Sequence, residues 1–123
     1  MAIPSGSGTE VLKTLYKSAQ SDSPTTTLLT GDANKIRTIL SIIWCEKGSA
    51  AEEINLWVDA GYNDVSGGAD KDIYILHHQP IPAKGTFVWS DKFVLYGLDV
   101  LKSNLNATGN VDIYVTYIEQ DWT

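Results

Sequence analysis

The sequence has one cysteine, Cys45, and two histidines, which are the neighbours His77 and His78. A lone thiol excludes an intrachain disulfide framework and any Cys-rich zinc or iron–sulfur centre. Adjacent residues of a strand point to opposite faces, so the two imidazoles are not expected to share a metal ion. Basic residues are scarce as well. Nine Lys plus Arg stand against fifteen Asp plus Glu among 123 residues, a formal charge of −6 and a pI near 4.6. Phosphate backbones are held by clustered Lys and Arg, so no nucleic-acid partner is expected. Long apolar runs are missing too. The longest strongly apolar one, Ile42-Ile43-Trp44-Cys45, falls far short of the ~20 residues that span a bilayer, so no membrane association is expected. The opening Met1-Ala2-Ile3-Pro4-Ser5-Gly6-Ser7-Gly8 lacks the charged start and apolar core of a secretory signal. Synthesis and assembly are therefore expected in a cytosol.

Catalytic patterns are equally sparse. No serine sits in a Gly-x-Ser-x-Gly elbow, and no glycine loop leads into Lys and Ser or Thr to cradle a phosphate. Cys45 lies in an apolar segment, where a neutral buried thiol is the expectation. The loop from Asn63 to Asp72 is rich in oxygen and resembles one degenerate copy of a Gly-Gly-rich calcium repeat. Asp70 takes the place of the repeat's third glycine, and an exposed turn is the simpler reading. No cofactor, no metal site and no enzymatic activity are expected.

What the sequence does have is strand signal. Apolar positions recur with a period of two, carried by β-branched and aromatic residues, and no segment supports a helix of ten residues. Segments 9–16, 25–30, 35–46, 54–60, 72–78, 86–89, 92–96, 99–103 and 111–119 read as strands. Gly31-Asp32, Gly61, Gly67-Gly68, Gly85, Ser90-Asp91, Gly97 and Gly109-Asn110 mark turns. Pro80 and Pro82 are expected to make an extended, unpaired linker. In 35–46 the alternation puts Ile36, Leu40, Ile42 and Trp44 on one face and Ile39, Ile43 and Cys45 on the other. A strand apolar on both faces is either central or covered by another subunit. The fold expected is all-β: an antiparallel, jelly-roll-like β-sandwich of about eight or nine short strands. It comprises one domain over residues 9–123, preceded by a flexible arm over residues 1–8. Five of the six net negative charges lie between Glu46 and Asp72, and this segment is expected to form a solvated face turned away from any partner.

Several segments carry a resemblance. Ser5-Gly6-Ser7-Gly8-Thr9-Glu10-Val11-Leu12 opens the chain, and Leu28-Leu29-Thr30-Gly31 precedes the apolar segment that ends at Trp44. Pro82 to Leu95 reads Pro-x-x-Gly-Thr-Phe-x-Trp-x-x-Lys-x-Val-Leu. Gly97 to Leu101 and Gly109 to Tyr114 complete the pattern. Together they resemble a family of small β-sandwich virion proteins of tailed phages from marine and cyanobacterial hosts, which serve as capsid decoration (cement) proteins or as neck, tail or fibre parts. The resemblance implies a homo-oligomer, with a trimer favoured, that binds the major capsid protein within the virion. Candidate interface residues are Ile3 and Pro4 of the arm, Val11, Leu12, Ile39 and Ile43 of the apolar strands, and the tryptophans Trp57 and Trp122. A carbohydrate-binding module is the rival expectation, with Trp57 and Tyr62 on a shared face.

Overall fold

Period-two alternation folds most of this chain into strands whose apolar sides can be buried only between two sheets. A computed structural model describes residues 9–20, 25–60, 71–106 and 109–121, with backbone alone at Ala19 and Gln20. Ile3 and Pro4, with the rest of the arm, lie outside the described residues. So do Trp122, Tyr62 and most of the 63–72 loop. The described residues form nine strands: β1 (Thr9–Gln20), β2 (Thr26–Leu29), β3 (Lys35–Glu46), β4 (Glu52–Ala60), β5 (Lys71–Ile81), β6 (Thr86–Trp89), β7 (Phe93–Tyr96), β8 (Val100–Leu105) and β9 (Val111–Asp121).

The first sheet runs β1-β9-β3, with β6 and β7 both alongside β3; the second runs β2-β8-β4-β5. All pairings are antiparallel. β6 faces Ile42–Cys45 and β7 faces Ile36–Ile39, so the two act as one strand interrupted at Ser90-Asp91-Lys92. Counted that way, two four-stranded sheets face each other in jelly-roll order. Among the described residues no helix is long and apolar enough to cross a membrane.

The core is built from the inward positions of both sheets. Ile39, Ile42, Trp44, Leu95, Val111 and Val115 come from the first sheet, and Leu28, Ile54, Leu56, Ile81, Leu101 and Leu105 from the second. Trp44 ties the two together. Its Nε1–H points at Ser103 Oγ at a long 3.4 Å, and Ser103 Oγ donates to the carbonyl of Asn55 at 2.7 Å. A charged cluster closes one side of the same interior. Glu119 on β9 accepts from Lys13 Nζ (2.7 Å) and Arg37 Nε (3.0 Å), with Lys35 Nζ at 3.6 Å. Burial works to raise the Glu119 pKa, but these two hydrogen bonds and the charges of Lys13 and Lys35 outweigh it and hold the carboxyl below its ordinary 4.5.

Two local features depart from the sequence expectation. The register of β3 against β9 shifts between Ile39 and Ser41. One extra residue there reverses the side-chain phase, so Ile39 lies inside with Ile42 and Trp44 rather than opposite them. Its side chain is wholly buried, which removes Ile39 from the candidate interface. β5 does not end at its first proline either. Pro80 faces Glu53 and Ile81 faces Glu52, which is possible because β5 is an edge strand and needs no N–H on its open side.

Candidate functional site

The outer face of the first sheet is the part of the surface best suited to contact another macromolecule. Register places its side chains in three rows that cross the strands. Tyr16, Tyr114, Ile43 and Val88 form one row and Leu12, Ile118, Thr38 and Val94 another, with Thr14, Thr116 and Ser41 between them. Tyr16 and Leu12 stand 71% and 66% exposed, and Val88, Val94 and Tyr114 are also exposed. None of these eleven residues carries a formal charge. Charges begin at the margins, where Glu10 accepts from Gln120 Nε2 (3.0 Å) and Lys47 pairs with Asp112 (3.1 Å). An open groove of about 270 Å³ runs along one end of the face beside Tyr16, Ile43, Cys45 and Tyr114. Cys45 is half-buried at this groove instead of sitting in the core. Apolar and hydroxyl side chains at the centre with charges at the rim match the anatomy of protein interfaces.

The candidate residues from the sequence divide accordingly. Leu12 and Ile43 belong to the outer face. Val11 alternates with Leu12, and it pairs with the inward-facing Glu119, so it lies on the opposite side at the open edge of β1. Trp57 is on the outward side of β4 but only 7% exposed. Tyr74 stacks on it with ring centroids 5.3 Å apart. Trp57 is therefore covered by its own chain and unavailable to a partner.

That stack begins a second surface feature, on the outer face of the other sheet. Tyr74 meets the edge of His77 at 5.0 Å, and the His77 and His78 rings lie 4.2 Å apart. The expectation that the two imidazoles diverge fails here. β5 bulges against β4 between Gln79 and Leu76, and His78 has a φ of 58°, so simple alternation is lost. Among the described residues no group of three or more His, Cys, Asp or Glu is placed to hold a metal. Beside the rings, Asn55 Nδ2 donates to Asn104 Oδ1 (2.8 Å) and Asn106 Oδ1 (2.6 Å), and Asn106 Nδ2 donates to Glu53 Oε1 (2.8 Å).

The acidic segment is not uniformly solvated. Glu53 and Asp72 are exposed and Asp59 pairs with Lys102 (3.0 Å), whereas Glu46 is fully buried and Glu52 is 5% exposed. Both sit on the inward phase of their strands, Glu46 following Trp44 and Glu52 preceding Ile54. The sequence-level expectation of a wholly outward acidic face is corrected at these two positions. Pattern alone could have found them, since period two counted from the core residues places both carboxylates inside.

No protein-family profile and no curated protein sequence matches the chain. Solved structures do show the same architecture. A subunit of the disulfide-linked pili of Bacillus endospore appendages superimposes with a TM-score of 0.54 at 11% identity, covering 100% of this chain and 97% of that one. The CBM22-1 xylan-binding domain of Paenibacillus barcinonensis Xyn10C does so with a TM-score of 0.50 at 10% identity, covering 95% and 86%. A chain of the T13 IBDV viral particle aligns less closely, with a TM-score of 0.49 at 9% identity over 93% of this chain and 36% of its own length. At such identities the likeness is one of fold, a β-sandwich that structural and binding proteins share.

Proposed function

We propose that this chain is a structural subunit of a phage virion, a decoration protein that stabilises the head by binding the major capsid protein. The observation that carries the reading is the uncharged outer face of the first sheet, with its Tyr16–Tyr114–Ile43–Val88 and Leu12–Ile118–Thr38–Val94 rows. A soluble monomer gains nothing from exposing such a band, whereas an assembled subunit removes it from water at about 25 cal/mol per Å². The sequence resemblance to small virion β-sandwiches points the same way. A homotrimer on a three-fold lattice position fits the reading, since three copies brought together also bring three binding faces to the shell.

Two measurements test it. Copy number per particle, read from a gel against the major capsid protein, is expected in the hundreds; a few to tens would transfer the chain to the neck, tail or a fibre. Binding to undecorated heads is expected to fall at least tenfold in the variants Tyr16→Asp and Ile43→Lys with melting temperature unchanged. Full binding by both variants would overturn the proposed contact face.

A second reading has its own observation. Tyr74 and His77 are exposed rings on the same side of the sheet as the Asn55–Asn104–Asn106–Glu53 network, the pairing of apolar surface and fixed polar groups that saccharides use. A glycan array without hits would remove it.

A further inference from the structure

We propose that the open edge of β1 is a pairing surface for a second copy of this chain, which adds antiparallel about a two-fold axis at Thr14 and continues the first sheet from one copy into the other. Among the described residues β1 pairs with β9 alone. Its register against β9 is unbroken from Thr9 to Lys17, so the main chain on its other side is laid out evenly for a further strand. Inward-pointing charges are one device that guards such edges. Here Lys13 is held by Glu119 of its own chain at 2.7 Å.

The side chains select one register. Residues directly opposite in an antiparallel pair share a face, so a two-fold axis must pass through a residue and not between two. Two positions of the axis overlap eleven of the twelve residues of β1: Thr14, over residues 9–19, and Leu15, over residues 10–20. An axis at Leu15 sets Lys13 opposite the partner's Lys17, and an axis at Lys13 sets that residue against itself. Both put like charges face to face, which destabilises a strand pair. An axis at Thr14 opposes Lys13 to the partner's Leu15, Lys17 to the partner's Val11 and Leu12 to the partner's Tyr16. No like charges are directly opposed.

That register also extends the uncharged outer face. Among the described residues Tyr16 and Leu12 are the most exposed large apolar side chains, and the axis at Thr14 sets them against each other twice, once on each side. The Tyr16–Tyr114–Ile43–Val88 row of one copy then runs on into the Leu12–Ile118–Thr38–Val94 row of the other, and the two Thr14–Thr116–Ser41 rows meet at the axis. Both outer faces remain on the same side of the joined sheet, open to a shell. The proposed three-fold arrangement belongs to the shell, whereas this contact forms between free chains, and its test needs no heads.

The free full chain is measured by sedimentation over a dilution series. A reversible dimer of twice 13.5 kDa is expected. Leu12→Asp and Tyr16→Lys each alter both Leu12–Tyr16 pairs and are expected to weaken dimerisation about tenfold or more. Within one strand these positions lie about 13 Å apart, so the double variant brings its opposite charges together only between copies. It is expected to dimerise about threefold or more tightly than either single variant. In a Cys45→Ser background, Thr14→Cys is expected to form a disulfide between copies under mild oxidation. Leu12→Cys, whose counterpart is displaced by four residues along the strand, is not. Should a charged variant unfold, trapping at the exposed Thr14 still decides the question. A mass of one chain at every concentration, or of three, overturns the proposal. So does a dimer that Ile43→Lys dissolves and Leu12→Asp leaves intact, since the sheet face would then hold it. A disulfide in Leu12→Cys but not in Thr14→Cys overturns the register.

Discussion

Replacing Glu119 with glutamine changes one atom of the side chain and removes the negative charge that three basic side chains share. Glu119 and Arg37 are nearly buried, with side-chain exposures of 8% and 11%, whereas Lys13 is 41% exposed. The loss falls mainly on Arg37, whose remaining described partner is the Thr30 carbonyl. Removing one member of a buried pair costs about 3–5 kcal/mol. Glutamine keeps an acceptor oxygen, so the expected loss falls at or below the bottom of that range, about 2–3 kcal/mol. A domain of this size melts about 4 °C lower per kcal/mol lost, which gives a fall of roughly 8–12 °C, readable by circular dichroism. Lys13→Met, which removes the exposed partner, is expected to cost less than about 1 kcal/mol. The double variant Glu119→Leu with Arg37→Met is expected to recover much of the loss. The acid limb gives a second readout. The Glu119 pKa is lower in the folded than in the unfolded chain, so its stabilisation is fully present above the unfolded value and disappears as pH falls through the folded one. The stability gap between wild type and Glu119→Gln is therefore expected to hold steady at neutral pH and to close below about pH 4.5. A fall of less than 3 °C at pH 7, or an equal cost for Lys13→Met, would refute this account of the cluster.

Other substitutions probe separate parts of the fold. Trp44→Phe keeps the core filled by an aromatic ring but loses the Nε1 contact to Ser103; a destabilisation of about 1–2 kcal/mol is expected in urea titration. Gly31→Ala drives a methyl group to 2.5 Å from the main chain of Leu98, beside the Asp32 N–H to Gly97 carbonyl bond. It is expected to lower stability by more than about 2 kcal/mol. Lys84 is held at a φ of 59°, so Lys84→Gly is expected to raise the melting temperature by a few degrees, about 0.5–1 kcal/mol.

Much of this fold was legible because alternation is strong where one face of a strand is buried. The bounds of β3 and β6 coincide with the segments read as 35–46 and 86–89. In β9, Val111, Ile113, Val115 and Tyr117 are all buried, as their period requires. Two misreadings share a cause, since each lies where one residue breaks the period. The bulge near Leu40 moved Ile39 inside, and the left-handed His78 brought two histidines together. Sequence periodicity has no signal for an inserted residue, because the apolar residues on either side of it remain apolar. Trp57 misled for another reason. It does lie on the outer side of β4, but its burial there depends on Tyr74, seventeen residues away in the next strand. Glu46 and Glu52 were assigned to solvent on charge alone, although their positions in the alternation pointed inward.

The four edges of the two sheets are unlike, and this bears on how copies of the chain can meet. One edge of the first sheet is broken into β6 and β7, four residues each. In the second sheet β2 is four residues long, and β5 carries Pro80 and two register shifts. Among the described residues only β1 offers a long run of main chain ready to pair. Strand addition through β1 alone joins like to like, uses up the sole competent edge of both copies and stops at two. The break at Ser90-Asp91-Lys92 thus denies the sandwich a second sticky end, and copies of the chain are kept from growing into fibres by strand addition.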